Sequence, residues 1–243
     1  MKRFLALLFF AAWTSLNAGT HSDLYNSYGE LLSKYVKPSG VDYQSWVVND
    51  EDVDALYDLL MAMSIVDVDS LSDDEQQAFY INLYNAAMIQ AVLENYPLKT
   101  VTTILPGFGI FEKKYIQLGD RVLSLNEVEK SILLERWDEP RIHFAVNCAS
   151  ASCPPLRNEP FTGEKLETQL QEQTEQFAET KHALRLDRKN RTAYVSSLFD
   201  WYADDFPGDS PLHYLNRYRQ KSIPTRYKVK FINYDWSLNE AKN

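Results

Sequence analysis

Arg141-Ile-His-Phe-Ala-Val-Asn-Cys-Ala-Ser-Ala-Ser-Cys-Pro-Pro-Leu156 carries both cysteines of the chain, Cys148 and Cys153, and one of its four histidines, His143. Ile142, Phe144 and Val146 alternate with Arg141, His143 and Asn147, the period of two of a half-buried strand. Small residues and serines from Ala149 to Ser152 then offer no strand face. Pro154 and Pro155 remove two backbone donors and hold Cys153 extended. The stretch predicts a strand running into a loop, with a thiol, an imidazole and an amide at the transition, where sites are commonly built. On a straight strand Cys148 faces away from His143, and Asn147 shares the histidine's face roughly 13 Å away. Cys153, on a loop able to fold back, could meet the imidazole; so could Cys148 if the strand ends early.

Upstream, Ser72 with Glu75 three residues on is a capping box that opens a helix running to about Asn95. From Phe79 to Leu93 it is apolar nearly all round, the mark of a central buried helix. Asn82 and Asn85 interrupt that surface on one face, so each must be hydrogen-bonded. They either tie down neighbouring loops or serve a site by orienting an imidazole or donating to an oxyanion. Two earlier amphipathic helices are expected over Ser22 to Tyr35 and Asp50 to Ser64. Thr100 to Phe111, with Pro106-Gly107-Phe108-Gly109, reads as an aromatic loop and a cleft wall. Tyr115 to Leu123 reads as a hairpin turning at Gly119-Asp120. Ser124 and Glu127 repeat the capping-box spacing and open a helix to Leu134. Glu129 in its middle is either solvated or a charge partner for the His143 segment.

Downstream, Gly163 to about Thr180 is a polar amphipathic helix. Ala183 to Asp187 and Thr192 to Ser196 read as the short strands of a second hairpin joined by Arg188-Lys-Asn-Arg191, Leu198 to Phe206 is a helix bearing Trp201 and Tyr202, and Ser210 caps a last helix with Pro211 at its first position. A final strand runs from Tyr227 to Ile232, and Tyr234-Asp235-Trp236 anchors the end. No repeat or linker divides the chain, which reads as one α+β domain over 19–243, mostly helical with a small, mostly antiparallel sheet.

Of the 243 residues, 45% are apolar and 13% aromatic, enough for a sizeable core. Lys2 and Arg3, the apolar run Phe4 to Ala12 and the small-residue exit at Ala18 read as a signal peptide over 1–18. The protein is then expected in the periplasm or secreted. Without Lys2 and Arg3 the chain carries 34 acidic and 23 basic residues, a net −11. That charge argues against nucleic acid and anionic membrane surfaces as partners. The apolar run is too short to span a bilayer, so no membrane span is expected once it is removed. In an oxidising compartment a Cys148–Cys153 disulfide becomes a natural alternative to free thiols.

Known chemistries narrow quickly. His143, Cys148 and Cys153 lack the two-residue cysteine spacing and second cluster of a structural zinc site, so no metal is expected. No glycine-rich phosphate loop and no Gly-x-Ser-x-Gly elbow occurs, and no cofactor is called for. A thiol nucleophile is the enzymatic option that remains.

Four blocks carry a resemblance: Phe79-Tyr-Ile-Asn-Leu-Tyr-Asn-Ala86; Leu123-Ser-Leu125 with Val128-Glu129; Arg141 to Cys148 with Ser152-Cys-Pro-Pro155; and Trp201-Tyr202 with Asp205-Phe206. In that order, over about 72–206, they resemble the domain-of-unknown-function 547 family, found in bacterial exported proteins and in plants, which implies a shared fold and no assigned reaction. A more distant analogy is to papain-like and transglutaminase-like thiol enzymes. Those run Cys, His, then Asp or Asn, so the analogy here requires a permuted arrangement.

Two functions follow. One is a thiol-dependent hydrolase or acyltransferase, with Cys153 or Cys148 as nucleophile, His143 as base, Glu129, Asn82 or Asn85 as orienter, and Asn147 near the oxyanion. The other is a non-catalytic module for a peptide, glycan or protein, with the cysteines joined and Phe108, Phe111, Trp201 and Tyr202 lining a groove.

Overall fold

The structure, a computed structural model, describes residues 17–242. Of the leader reading, Lys2, Arg3 and the apolar run lie outside the described residues, and Ala18, the expected exit, is the second residue of the first helix. Helix α1 (Asn17–Tyr35) leads through the two-residue strands β1 (Val36–Lys37) and β2 (Gly40–Val41) into α2 (Tyr43–Val47) and α3 (Asp50–Ser64). The apolar spacing read from α1 is the buried face: Tyr28, Leu31, Leu32 and Tyr35 are all in the core. Asn49 caps α3 by accepting from the backbone N–H of Asp52 at 3.2 Å.

Helix α4 (Asp73–Asn95) is the axis of the fold. Ser72 and Glu75 form the expected capping box, and α4 is buried on every side from Gln76 to Leu93 except at Gln90. Helix α1 packs on α3, and α3 and the later α7 pack on α4. After α5 (Gly109–Glu112), β3 (Ile116–Leu118) and β4 (Arg121–Leu123) form the antiparallel hairpin, turning at Gly119 with φ 59°. The helix expected from Ser124 exists, with both capping contacts present, but over Glu127–Leu134 it is wound as a π-helix. Such widened turns frequently occur at functional sites. It packs on α4 and buries Glu129.

The Arg141 stretch corrects the sequence reading. Instead of a strand, Ile142–Ala145 forms a single helical turn, α6. Glu139 starts it, accepting from the backbone N–H of Arg141 at 2.9 Å and pairing with the Arg141 guanidinium. The apolar alternation has another cause: Ile142, Ala145 and Val146 belong to the core around α4, whereas Phe144 belongs to a second core. Successive side chains go to two different cores. The polar residue between them, His143, is buried as well.

That second core is aromatic, built from Phe144, Phe177, Phe199, Phe206 and Tyr214. It is enclosed by α7 (Leu166–Ala178), by the sheet of β5 (Leu184–Asp187), β6 (Thr192–Val195) and β7 (Lys228–Phe231), and by α8 (Leu198–Trp201) and α9 (Pro211–Asn216). Strand β6 pairs antiparallel with β5 and parallel with β7. The helix expected over Leu198 to Phe206 is broken into α8 and a 3-10 turn at Ala203–Asp205. The architecture is α+β, mostly helical with small sheets. Among the described residues no helix is long and apolar enough to cross a membrane.

Candidate functional site

The loop that carries both cysteines is held by side-chain amides. Asn85 on α4 donates to the carbonyl of Ala145 at 3.0 Å and accepts from the backbone N–H of Asn147 at 2.8 Å. Asn147 donates in turn to the carbonyl of Pro154 at 2.7 Å and accepts from the backbone N–H of Ala149 at 2.9 Å. Asn82 makes the same two-way clasp on the backbone of Phe161. All three asparagines offered by the sequence as orienters or oxyanion donors therefore bind main chain: Asn85 and Asn147 build the cysteine loop, and Asn82 holds the chain at Phe161. The C-terminal tail completes it: Ala151 donates to the carbonyl of Ser237, Ser152 to that of Asp235, and Asn239 to that of Ala149. Ala149 takes a left-handed φ of 55° between the first cysteine and Ser150.

This folding turns both sulfurs to one point. The cysteines are free and half-buried, with Sγ atoms 2.8 Å apart, beyond the covalent 2.05 Å. The backbone N–H of Cys148 donates to Cys153 Sγ at 2.9 Å. Cys148 Sγ also lies 3.0 Å from the Ser150 hydroxyl and 3.3 Å from that of Tyr234. Burial pushes the Cys148 thiol up, but hydrogen bonds from Cys153, Ser150 and Tyr234 outweigh it and bring the thiol below its ordinary value. Cys153, buried and set against Cys148, is pushed well above.

His143 stands nearby on α6, 3% exposed. Its Nε2 lies 2.7 Å from Asp205 Oδ2, and its ring packs on Tyr202 with centroids 4.1 Å apart. Burial depresses its pKa, with Asp205 and Glu129 working in the opposite direction. A neutral imidazole results near neutral pH, able to accept a proton. Glu129 accepts from the Tyr202 hydroxyl at 2.9 Å. No hydrogen bond joins His143 to either sulfur among the described residues.

These groups share one cavity of about 360 Å³, within the usual range for a small-molecule site. Glu129, His143, Cys148 and Cys153 line it, as do the four aromatics named from sequence, Phe108, Phe111, Trp201 and Tyr202. Asn82, Asn85 and Asn147 do not line it. Sequence reasoning did not single out Asp205, Ser150, Tyr234, Trp236 or Tyr84. Asp205 sat in a quoted block and could have been found by asking what pairs with His143. Tyr234 and Trp236 gave no signal beyond aromatic density, because their role depends on the tail returning to the cysteine loop.

No curated protein and no solved structure matches the chain. Residues 68–178 match the family model described as a protein of unknown function, DUF547. The match takes in α4, the π-helix, α6, the cysteine loop and α7, and ends before the Trp201 to Phe206 block. Over residues 68–178 the chain is thus similar to the domain-of-unknown-function 547 family.

Proposed function

We propose that the cavity is the active site of a thiol-dependent hydrolase or acyltransferase in which Cys148 is the nucleophile. The observation that carries the reading is the environment of Cys148 Sγ: it faces a cavity, and the Cys153 sulfur at 2.8 Å, the Ser150 hydroxyl at 3.0 Å and the Tyr234 hydroxyl at 3.3 Å surround it with groups able to donate to it once its own proton has left. In the proposed reaction the thiol proton goes to neutral His143, and the sulfur attacks an acyl carbonyl. The C–S bond forms as the bond to the leaving group breaks, and the imidazolium returns the proton to that group. Water, or an acceptor nucleophile, then releases the acyl group and restores the thiol. Asp205 holds the imidazole. The missing contact between His143 and sulfur is compatible with this, since catalytic hydrogen bonds often tighten only with substrate bound.

Mass spectrometry of the reduced protein after exposure to an activated ester or thioester tests the proposal. The expected result is an acyl adduct on Cys148, absent from Cys148→Ser and slower to form in His143→Ala. No adduct on Cys148 would overturn it.

The 2.8 Å approach of the two sulfurs favours a second reading, a binding module in which Cys148 and Cys153 are joined. Export, proposed from the leader, would supply the oxidising compartment. Thiol titration of unreduced protein under denaturing conditions separates the two: two free thiols favour the enzyme, none the binding module.

A further inference from the structure

We infer that the cavity recognises an organic cation, a quaternary or protonated amine on a compact apolar body, with Glu129 as its counter-charge and the rings of Trp201, Trp236 and Tyr234 as its wall. The inference rests on the cavity being the functional site and adds the charge of what enters it. Glu129 lines the cavity and is only 8% exposed. One carboxylate oxygen accepts from Tyr202. Among the described residues the other accepts no hydrogen bond, and no lysine, arginine or histidine forms an ion pair with it. A carboxylate with so little exposure to water and no ionic partner is stabilised by a cation brought to it. Among the described residues the protein pairs none with it. Lys130, the other charged lining residue of that helix, is exposed and does not pair with Glu129, while Glu112 adds a second acid to the rim.

The aromatic wall has the complementary character. Trp201 and Trp236 are nearly parallel at 19° with centroids 6.0 Å apart, and the Tyr234 ring lies 4.9 Å from the first and 4.6 Å from the second. Elsewhere, lysine or arginine covers the rings of Tyr35, Tyr115, Trp137 and Tyr194. No protein cation covers a ring of the cavity among the described residues. Indole and phenol rings that share a cavity with a carboxylate lacking an ionic partner attract a weakly hydrated cation through both field and contact. A neutral sugar would use the rings and leave Glu129 unpaired.

Choline and its uncharged isostere 3,3-dimethylbutan-1-ol separate these cases when each is titrated against the reduced full chain at low salt, followed by tryptophan fluorescence. Choline is expected to bind at least ten-fold more tightly. The preference should shrink in high salt and vanish in Glu129→Gln, with binding of the alcohol unchanged. Trp201→Ala should weaken both probes. Equal or tighter binding of the alcohol, or choline binding indifferent to both salt and Glu129→Gln, would overturn the inference, as would no binding of choline. The acyl adduct on Cys148 is read separately, so loss of charge preference with the adduct intact removes the cation and leaves the thiol reading standing.

Discussion

His143 Nε2 and Asp205 Oδ2 are 2.7 Å apart, a bond that joins α6 to the 3-10 turn after α8 and fixes which imidazole nitrogen is engaged. With Nε2–H donated to the carboxylate, Nδ1 is the acceptor of the neutral ring. Asp205 opposes the fall in pKa that burial imposes on His143. Asp205→Asn should therefore lower it further. NMR titration of the His143 ring should give a midpoint below 6.5 in the parent and lower still in the variant, whereas a parent midpoint above 6.5 would contradict the burial argument.

The same depression sets a stability trend. The unfolded chain binds the His143 proton first, so the stabilisation is complete at high pH and is lost as pH falls from about 6.5 toward the folded pKa. His182, lowered by burial and then by Lys181, adds to the slope with the same sign. Carboxylates held low, such as Asp52 beside Lys34 and Glu159 beside Arg157, keep their charge through that window and begin to matter only in stronger acid. Urea midpoints should thus fall between pH 7.5 and pH 5.5. His143→Gln should flatten the fall, and a midpoint that rises on acidification would show that the histidine is not held neutral.

Asn85 serves two backbone groups at once. Replacement by Leu strands the Ala145 carbonyl and the Asn147 N–H, at about 1 to 3 kcal/mol for each buried group left unpaired. Denaturant melts of Asn85→Leu should show a loss of about 2 to 6 kcal/mol by the same count. An unchanged midpoint would mean that the cysteine loop is held by other contacts.

Much of this architecture was legible in the sequence, because local physics decides it. Ser72 and Glu75 cap α4 as their spacing predicts, the apolar girth of α4 makes it central, and Ser210-Pro211 opens α9. The sequence misled where tertiary context decides. Phe144 alternates with its neighbours because it faces the aromatic core while Ile142 and Val146 face the other. A period of two cannot distinguish that from a pleat. The asparagines were legible as buried and bonded but not as to their partners. Tyr234 and Trp236 join the cavity only through a tail that pairs with residues near 41, 100 and 150, distances that no local pattern encodes.

That tail can be tested at Gly40. Its φ is +140°, and a Cβ there would lie 2.1 Å from the carbonyl oxygen of Asn239. Gly40→Ala must push the tail away from β2 or strain the turn. Limited proteolysis should then cut within 234–242 more readily than in the parent, and Cys148 should lose part of its reactivity as Tyr234 withdraws. Equal cleavage in both proteins would show that the tail is anchored elsewhere.

The central claim, that Cys148 rather than Cys153 is the activated thiol, is tested most directly by the pH dependence of alkylation in the reduced protein, mapped to each cysteine by peptide mass spectrometry. Cys148 should react first, with a midpoint below the ordinary thiol value of 9.0. Tyr234→Phe and Ser150→Ala should each move that midpoint up by removing a donor to the thiolate. Alkylation of Cys153 ahead of Cys148, or a Cys148 midpoint above 9.0 that neither variant moves, would contradict the account.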